Sequence, residues 1–554
     1  MYSNIKSVQI LISLLKQYGV KDVVLSPGGS DIPLIHSIEM DNNFNCYSVV
    51  DERNATYFAM GLAQEKNTYV ACICTSGTAI CNYLPGVTEA YYQDVPILVI
   101  TADKNPYFQG QLETQKIDQM NTFTNVVKRS VDLPVIRNED DEWLCNRLIN
   151  EALLELNHHG TGPVHINIPI TGDTSVYDCK ELPKVRKMNI VSENSDKKLW
   201  NEYSNVLSSK KRIMVVVGQN VNFSEKDIKN LNNFFKKYNC IFAVEHLSNV
   251  ECEGKIYTYP ITEMGGLTEN LLPDLVISIG NNLAAYKLKP FLRANYKKME
   301  NWYISLSGKV RDSYKSLTTI FEMSVSSFFE NICKYSIDSK NSLNYYNEWK
   351  KTESFINIPD VELSNMYVAK SLAEIIPENS ILHLAILNST RTMQYFKLNK
   401  NIHTYSNVGS LGIDGCLATF VGQSTANDKL AYLVIGDLSF FYDMNAAALR
   451  SIKNNVRIIL LNNGGGSEFH FFMGKEKIPT INKHISAEHN HVAEGWIKSL
   501  NYDYYAVNNK EELDNIMPIL GKKSEKPIFV EIFTDMELDA KRINNIVPTI
   551  VILD

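Results

Sequence analysis

Asp437 and Asn463 stand 26 positions apart (463 − 437), each at the end of an apolar run and each beside glycine. The first run, 431–435 (AYLVI), has strand length and gives way to Gly436, Asp437, Leu438 and Ser439. The second, Val456 to Leu461, ends at Asn462-Asn463-Gly464-Gly465. Parallel strands put ligands in the crevice outside their carboxyl ends, so two adjacent strands would bring Asp437 and Asn463 to one crevice. A carboxylate, an amide oxygen and a backbone carbonyl, completed by two diphosphate oxygens and a water, make an octahedral magnesium site. The glycines let backbone amides approach phosphates. A helix is expected over Asp443 to Ile452, between the strands. Taken by itself, the same pattern also fits an ordinary βαβ unit with a turn aspartate.

A second candidate lies far upstream. Val49-Val50-Asp51-Glu52-Arg53-Asn54 reads as an apolar strand delivering a glutamate, and Ala55 to Ala63 as a small-residue helix. A carboxylate in a partly apolar pocket has the raised pKa that proton sharing requires. Alone, Glu52 reads more simply as a surface ion pair with Arg53. The run Cys74-Thr75-Ser76-Gly77-Thr78-Ala79 favours the pocket, because there a strand ends in a tight turn of small residues that can receive a flat ring.

The aspartate–asparagine spacing resembles the thiamine diphosphate signature GDG…NN, with Leu438 in place of the last glycine. The order, glutamate first and clamp last, resembles the pyruvate-decarboxylase-like superfamily over essentially the whole chain. Within it the chain is most similar to the menaquinone-pathway 2-succinyl-5-enolpyruvyl-6-hydroxy-3-cyclohexene-1-carboxylate synthases. The stretches that carry this are SPGGSDIPL (26–34), VVDERN (49–54), TSGTA (75–79), ITADKNP (100–106), YSNVGSLGIDG (405–415) and GDLSFFYDMNA (436–446).

The resemblance implies two cofactors, thiamine diphosphate and Mg2+. It places Glu52 against the cofactor's pyrimidine ring, where it makes the exocyclic amine the base for the thiazolium C2 proton. It puts Asp437, Asn463 and the Gly465 carbonyl on the metal. Gly436, Leu438 and Ser439 then belong to the diphosphate cradle, and Ser76, Gly77, Thr78 and Ser389 to the lining. Ile413 matches the apolar position that props the cofactor in its bent form, and Gln115 the amide near the reacting carbon. Glu468 and His470 fall in the segment expected over the thiazolium, as candidates for substrate-specific proton transfer. His484, His489 and His491 are expected at the surface.

On the substrate side the chain departs from the family. The synthases take isochorismate and 2-oxoglutarate, and a guanidinium fork suits their carboxylates. The family arginine of the SPG loop is here Ser30, followed by Asp31; that of the YSN tract is Val408; a third aligns with Met393, with Arg391 two residues away. Lys104 replaces the arginine of the TAD tract, and Lys287 or Lys289 matches a family lysine. At about 1.5–3 kcal/mol for each charge-assisted bond, these losses predict a less anionic donor. The expected activity is therefore decarboxylation of a 2-oxoacid, with transfer of the acyl-anion equivalent to an acceptor or a proton. The alternatives are the synthase reaction itself and a non-catalytic binding protein of the same fold.

These residues need strands, turns and helices to hold them. The expected fold class is α/β, with three doubly wound parallel-sheet domains: a pyrimidine-binding domain over 1–185, a Rossmann-like central domain over 186–345 and a diphosphate- and metal-binding domain over 346–554. Short apolar runs alternating with helical patterns predict parallel sheets covered on both faces. In the first domain strands are expected at Val23–Ser26, near 46–50, 70–75 and 96–101, and at Val164–Ile168. RIMVVVG (212–218) and DLVISIG (274–280) give the centre two buried strands, with no full dinucleotide-binding glycine motif and a spacer role. A linker is expected around SENSDKK, and a boundary in Asp338–Glu353.

A chain of 554 residues exceeds one core. Its 44% hydrophobic and 21% charged content suits a globular protein, and a net charge of −7 gives no case for nucleic acid. Ten cysteines without a CxxC pair read as free thiols, and no apolar run is long enough for a membrane span. The expected setting is the cytoplasm, with small-molecule donor and acceptor as partners. The resemblance adds a homodimer or homotetramer with sites at the subunit interface.

Overall fold

The computed structural model describes residues 1–193, 197–219, 223–335, 342–359, 361–409 and 411–544. The centre of the expected linker (194–196) and the opening of the expected boundary (338–341) lie outside the described residues.

Three parallel-sheet assemblies form the chain, and the first and last share one topology. The first sheet runs, edge to edge, Asn45–Ser48, Asp22–Ser26, Val70–Cys74, Ile97–Asp103, Val164–Pro169 and Arg129–Asp132. The last runs His403–Tyr405, Ile381–Leu384, Ala431–Gly436, Val456–Asn462, Ile528–Phe533 and Asp503–Val507. Numbered within its own sheet, each has the order 2-1-3-4-6-5, and every neighbouring pair is parallel. The chain turns back between the first and third strands of each sheet, which is the switch point where an open α/β sheet leaves a crevice. At those strand ends lie Pro27–Asp31 and Thr75–Thr78 in the first sheet, and Ala385–Ser389 and Gly436–Ser439 in the last.

The middle sheet has seven strands, and five of them, Lys255–Tyr257, Cys240–Val244, Ile213–Val217, Leu275–Ile279 and Glu300–Ile304, pair parallel in that order. Its two predicted strands both form. Gly218 is required there, since a side chain would lie 2.1 Å from the Asn281 carbonyl oxygen.

By packing, the chain divides into two compact units. One holds Met1–Val191 with Gly308–Ile320; the other holds the remaining described residues. The segment Gly308–Ile320 lies inside the range expected for the central domain, yet it packs on the first unit. Asp312 holds it there, accepting from Arg186 Nη2 at 2.6 Å, Trp143 Nε1 at 2.7 Å and the Leu317 amide at 2.9 Å.

The element ends show why these residues fold as they do. Helix Lys6–Tyr18 lays Val8, Leu11, Ile12 and Leu15 into the first core and stops at Gly19, whose φ of 78° a side chain would strain. Helices Glu52–Lys66 and Thr78–Tyr92 pass so closely that a Cβ on Gly86 would meet Thr56 Oγ1 at 2.1 Å.

Two local expectations are corrected. The strand before Glu52 ends at Ser48, and Val50 is 73% exposed. Asp51 instead caps the helix, its carboxylate accepting from the Arg53 and Asn54 amides, so Glu52 is the first helical residue. After the Ala431–Gly436 strand the helix begins at Asp437 and ends at Tyr442; a 3-10 turn over Met444–Ala448 occupies the start of the range expected to be helical. Extended backbone at Gly436 lets the helix start at once, and Asp443 leaves it to accept from the Ala418 amide. The edge strands Arg129–Asp132, four residues and mostly polar, and Asp503–Val507, mostly half-buried or exposed, also escaped the pattern.

Among the described residues no helix is long and apolar enough to cross a membrane. All ten cysteines are free.

Candidate active site

In the last sheet the expected clamp assembles. Strands Ala431–Gly436 and Val456–Asn462 pair with Gly436 opposite Leu461, so Asp437 and Asn463 leave adjacent strand ends together. Asp437 is 2% exposed, and its Oδ2 accepts from the amides of Asn463 at 3.0 Å, Gly464 at 2.8 Å and Gly465 at 3.0 Å. Its Oδ1 accepts from the Leu438 amide at 2.6 Å. Gly465 has a φ of +150°, and a Cβ there would approach the Ser486 carbonyl at 2.7 Å, so this turn accepts no side chain.

The donor set fits a hard cation. As placed, the Asn463 side-chain oxygen lies 2.7 Å from the Gly465 carbonyl oxygen and 3.3 Å from Asp437 Oδ2. Three oxygens of the types magnesium prefers thus converge from the three residues expected to hold it. With the amide turned over, the Asn463 nitrogen donates to both, which is how the group is satisfied when no cation lies between them.

The surroundings tie this clamp to its neighbours. The Ser439 hydroxyl donates to the Ile413 carbonyl at 2.5 Å, fixing the expected cofactor prop to the clamp helix; Ile413 itself is 38% exposed. Asn388 Nδ2 donates to Ser467 Oγ at 2.7 Å, and Ser389, beside it, is buried. Asp539, a residue the sequence reading did not single out, is 1% exposed and faces Asn463 Nδ2 at 3.4 Å. Burial pushes its carboxyl up to about 6.

His489 is a further correction. It was expected at the surface, but its side chain is 7% exposed, with Nε2 3.5 Å from Asp437 Oδ2. It stacks on His491 at 5.0 Å, and both rings meet the edge of Phe441. The turn after the glycine run causes this, because the His489 amide donates to the Gly464 carbonyl at 3.0 Å and carries the ring under the clamp.

Glu468 and His470 are brought to different places. Both lie on the helix Ser467–Phe472, where positions two apart point to nearly opposite sides. Glu468 meets Arg391 in a two-pronged pair, Nη1 to Oε2 at 2.7 Å and Nη2 to Oε1 at 2.9 Å. His470 is buried with Nε2 unpaired, on a helix that packs against Met536–Asn544. Met393 is fully buried and Val408 nearly so. Lys104 Nζ pairs with Glu113 at 2.8 Å, and Lys287 Nζ donates to the Glu263 carbonyl.

The first sheet's switch point holds the other candidates. Glu52 is half-buried at the start of its helix. Ser76 is 1% exposed, and its hydroxyl lies 2.9 Å from that of Ser30, the position of the absent arginine. Gly77 has a φ of +87°, and a Cβ there would lie 3.3 Å from that of Gln115, so the exposed Gln115 sits over the glycine turn with Thr78 beside it. The turn is held by Gln119, which the sequence did not mark: its Oε1 accepts from the Gly77 amide at 3.0 Å, and its Nε2 donates to Asn167 Oδ1 at 2.9 Å.

Asp31 is fully buried. One oxygen accepts from the Gly28 amide at 2.8 Å and the other has no partner. Burial pushes its carboxyl up to about 7; the Gly28 amide opposes this and the Glu52 charge adds to it. A carboxyl whose folded pKa is raised keeps its proton in the folded state where the unfolded chain has lost it. Stability therefore falls as pH rises from about 4 to about 7. Asp31→Asn should stabilise the protein at pH 8 by about 1–3 kcal/mol, and by much less at pH 5. Denaturant midpoints at the two pH values check this; an unchanged or lower midpoint at pH 8 contradicts it.

Residues 5–122 match the family described as "Thiamine pyrophosphate enzyme, N-terminal TPP binding domain". The 2-succinyl-5-enolpyruvyl-6-hydroxy-3-cyclohexene-1-carboxylate synthase of Bacteroides thetaiotaomicron is 38% identical over 98% of both chains. That of Phocaeicola vulgatus is 38% identical over 97% of both, and that of Christiangramia forsetii 32% identical over 97% of both.

The fold and the family match define the class: a thiamine diphosphate-dependent enzyme. Within that class the chain belongs to the family of 2-succinyl-5-enolpyruvyl-6-hydroxy-3-cyclohexene-1-carboxylate synthases. This corrects the expectation of a general 2-oxoacid decarboxylase or carboligase with a less anionic donor. That expectation weighed three lost arginines above the rest of the chain, whereas the likeness to the synthases runs through nearly all of it.

Proposed function

We propose that the protein catalyses the reaction its relatives are named for. It removes carbon dioxide from 2-oxoglutarate and joins the remaining four-carbon unit to isochorismate, using thiamine diphosphate and Mg2+, in the cytoplasm. The observation that carries this is the identity of 38% over 98% of both chains with a named synthase.

When bound, the cofactor supplies an electron sink for the carbon that loses carbon dioxide. The chain's residues do the rest. Asp437, Asn463 and the Gly465 carbonyl would hold the metal, which would supply positive charge against the cofactor's diphosphate. Ile413, whose carbonyl is anchored by Ser439, would give the cofactor an apolar side chain to rest on. Glu52 holds a proton at the pyrimidine nitrogen. Gln115, Ser76 and Thr78 line the pyrimidine side and Ser389 the diphosphate side.

The assembly we propose is at least a homodimer, in which Glu52 of one subunit and Asp437 of its partner serve the same cofactor. The function is tested by loading the protein with thiamine diphosphate and Mg2+ and following isochorismate. Its consumption should require 2-oxoglutarate and yield one carbon dioxide per isochorismate lost. Absence of turnover in a protein shown to bind the cofactor would overturn the proposal.

A further inference from the structure

Arg391 already has a carboxylate. Its guanidinium is 3% exposed and forked by Glu468, and Nη1 also donates to the Asn388 side-chain oxygen. Aromatic rings enclose it: Phe471 at 4.2 Å, Tyr286 at 4.9 Å and Phe472 at 5.7 Å from the guanidinium carbon. Two of those rings reach outward, Tyr286 being 41% and Phe472 54% exposed. A planar guanidinium fork matches a carboxylate with two parallel hydrogen bonds, and the aromatic rings facing it hold the guanidinium in place.

The pair is also wired to the clamp. Asn388 contacts Arg391 through its oxygen and Ser467 Oγ through its nitrogen, and Ser467 Oγ lies 3.2 Å from the Asn463 side chain. The fork therefore stands one short chain of polar contacts from the expected metal ligands.

The two partners are held unequally. Arg391 has Asn388 and its aromatic rings as well as Glu468. Among the described residues Glu468 has Arg391 as its only hydrogen-bond and ion-pair partner. Glu468 also sits on a six-residue helix that follows three glycines, Gly464–Gly466. A carboxylate with one partner, facing a cation that has several, is the exchangeable member of the pair.

We propose that Arg391 is the receptor for a carboxylate of the acidic substrate, and that Glu468 is an internal carboxylate which keeps the receptor filled until the substrate displaces it. This rests on the proposed reaction only for the identity of the incoming acid. The arrangement makes up for the arginines absent at Ser30, Val408 and Met393. It also rejects monocarboxylates, because an acid with no second carboxylate to offer Arg391 gains nothing by displacing Glu468. A tethered competitor acts at an effective concentration of roughly millimolar, so removing it should tighten dicarboxylate binding markedly.

The test uses the full chain loaded with thiamine diphosphate and Mg2+, with glutarate and butyrate as unreactive probes measured by calorimetry. Glu468→Gln should bind glutarate at least tenfold more tightly than the parent protein and gain less for butyrate, which has one carboxylate to place. Adding Arg391→Met should abolish that gain. The proposal is overturned if Glu468→Gln binds glutarate no more tightly while retaining its cofactor, since Glu468 would then be a structural partner. Should that variant misfold, nitrogen NMR of the Arg391 guanidinium in the parent protein decides instead. Saturating glutarate should move the signal and butyrate should not; no movement with glutarate overturns the proposal. Neither arm requires turnover, so failure here and failure of the proposed reaction are read separately.

Discussion

Asp437→Ala should leave a folded protein that no longer retains thiamine diphosphate and whose activity is down by about a thousandfold or more. The carboxylate supplies one of the three converging oxygens and organises the other two, because its own oxygens collect the amides of Asn463, Gly464 and Gly465. Breaking a buried charged interaction from one side costs about 3–5 kcal/mol, which is two to nearly four decades in affinity. Asp437→Asn separates the two roles. It keeps an oxygen for the backbone amides while losing the charge, so it should keep thermal stability near the parent and still bind cofactor poorly. Calorimetric titration of thiamine diphosphate with and without Mg2+ checks both variants. Full-strength cofactor binding by Asp437→Ala would remove the clamp from the account.

Glu52→Gln should do the reverse, holding the cofactor while slowing the chemistry about a hundredfold to ten-thousandfold, the usual range for a positioned proton-transfer group. Glutamine keeps the size of the side chain but cannot share a proton with the pyrimidine nitrogen. Exchange of the C2 proton of bound thiamine diphosphate for deuterium, read by NMR after acid quench, should slow in the variant. Unchanged exchange would show that Glu52 stands elsewhere. Mixed with Asp437→Ala protein under conditions of subunit exchange, Glu52→Gln protein should regain activity through hybrid dimers.

The parts legible in the sequence were those fixed by long local patterns. Runs such as 431–435 and Ile458–Leu461 are apolar throughout because both faces of a parallel strand are buried, and the clamp residues follow them at the carboxyl ends. The strands at 22–26, 70–74, 97–103 and 164–169 were readable for the same reason. What stayed hidden depends on packing between distant segments. Nothing local marks Gln119 as the residue that holds Gly77, since its partner lies 42 positions away. His489 reaches Asp437 only because the chain after the glycine run folds back under the clamp. The pairing of Glu468 with Arg391, 77 positions apart, joins two charges that the sequence presents separately. The expected donor class rested on the arginines absent at Ser30, Val408 and Met393; where Arg391, two positions before Met393 on the helix Asn388–Met393, carries its guanidinium is set by the fold and not by the aligned positions.

The most direct measurement is a donor comparison in the presence of isochorismate. Protein loaded with thiamine diphosphate and Mg2+ is given 2-oxoglutarate or pyruvate at equal concentration, and carbon dioxide release and product mass are followed together. The account predicts rapid release from 2-oxoglutarate, dependent on isochorismate, with a product whose mass equals the two substrates less carbon dioxide, and little release from pyruvate. A preference for pyruvate, or release from 2-oxoglutarate that ignores isochorismate, would contradict it.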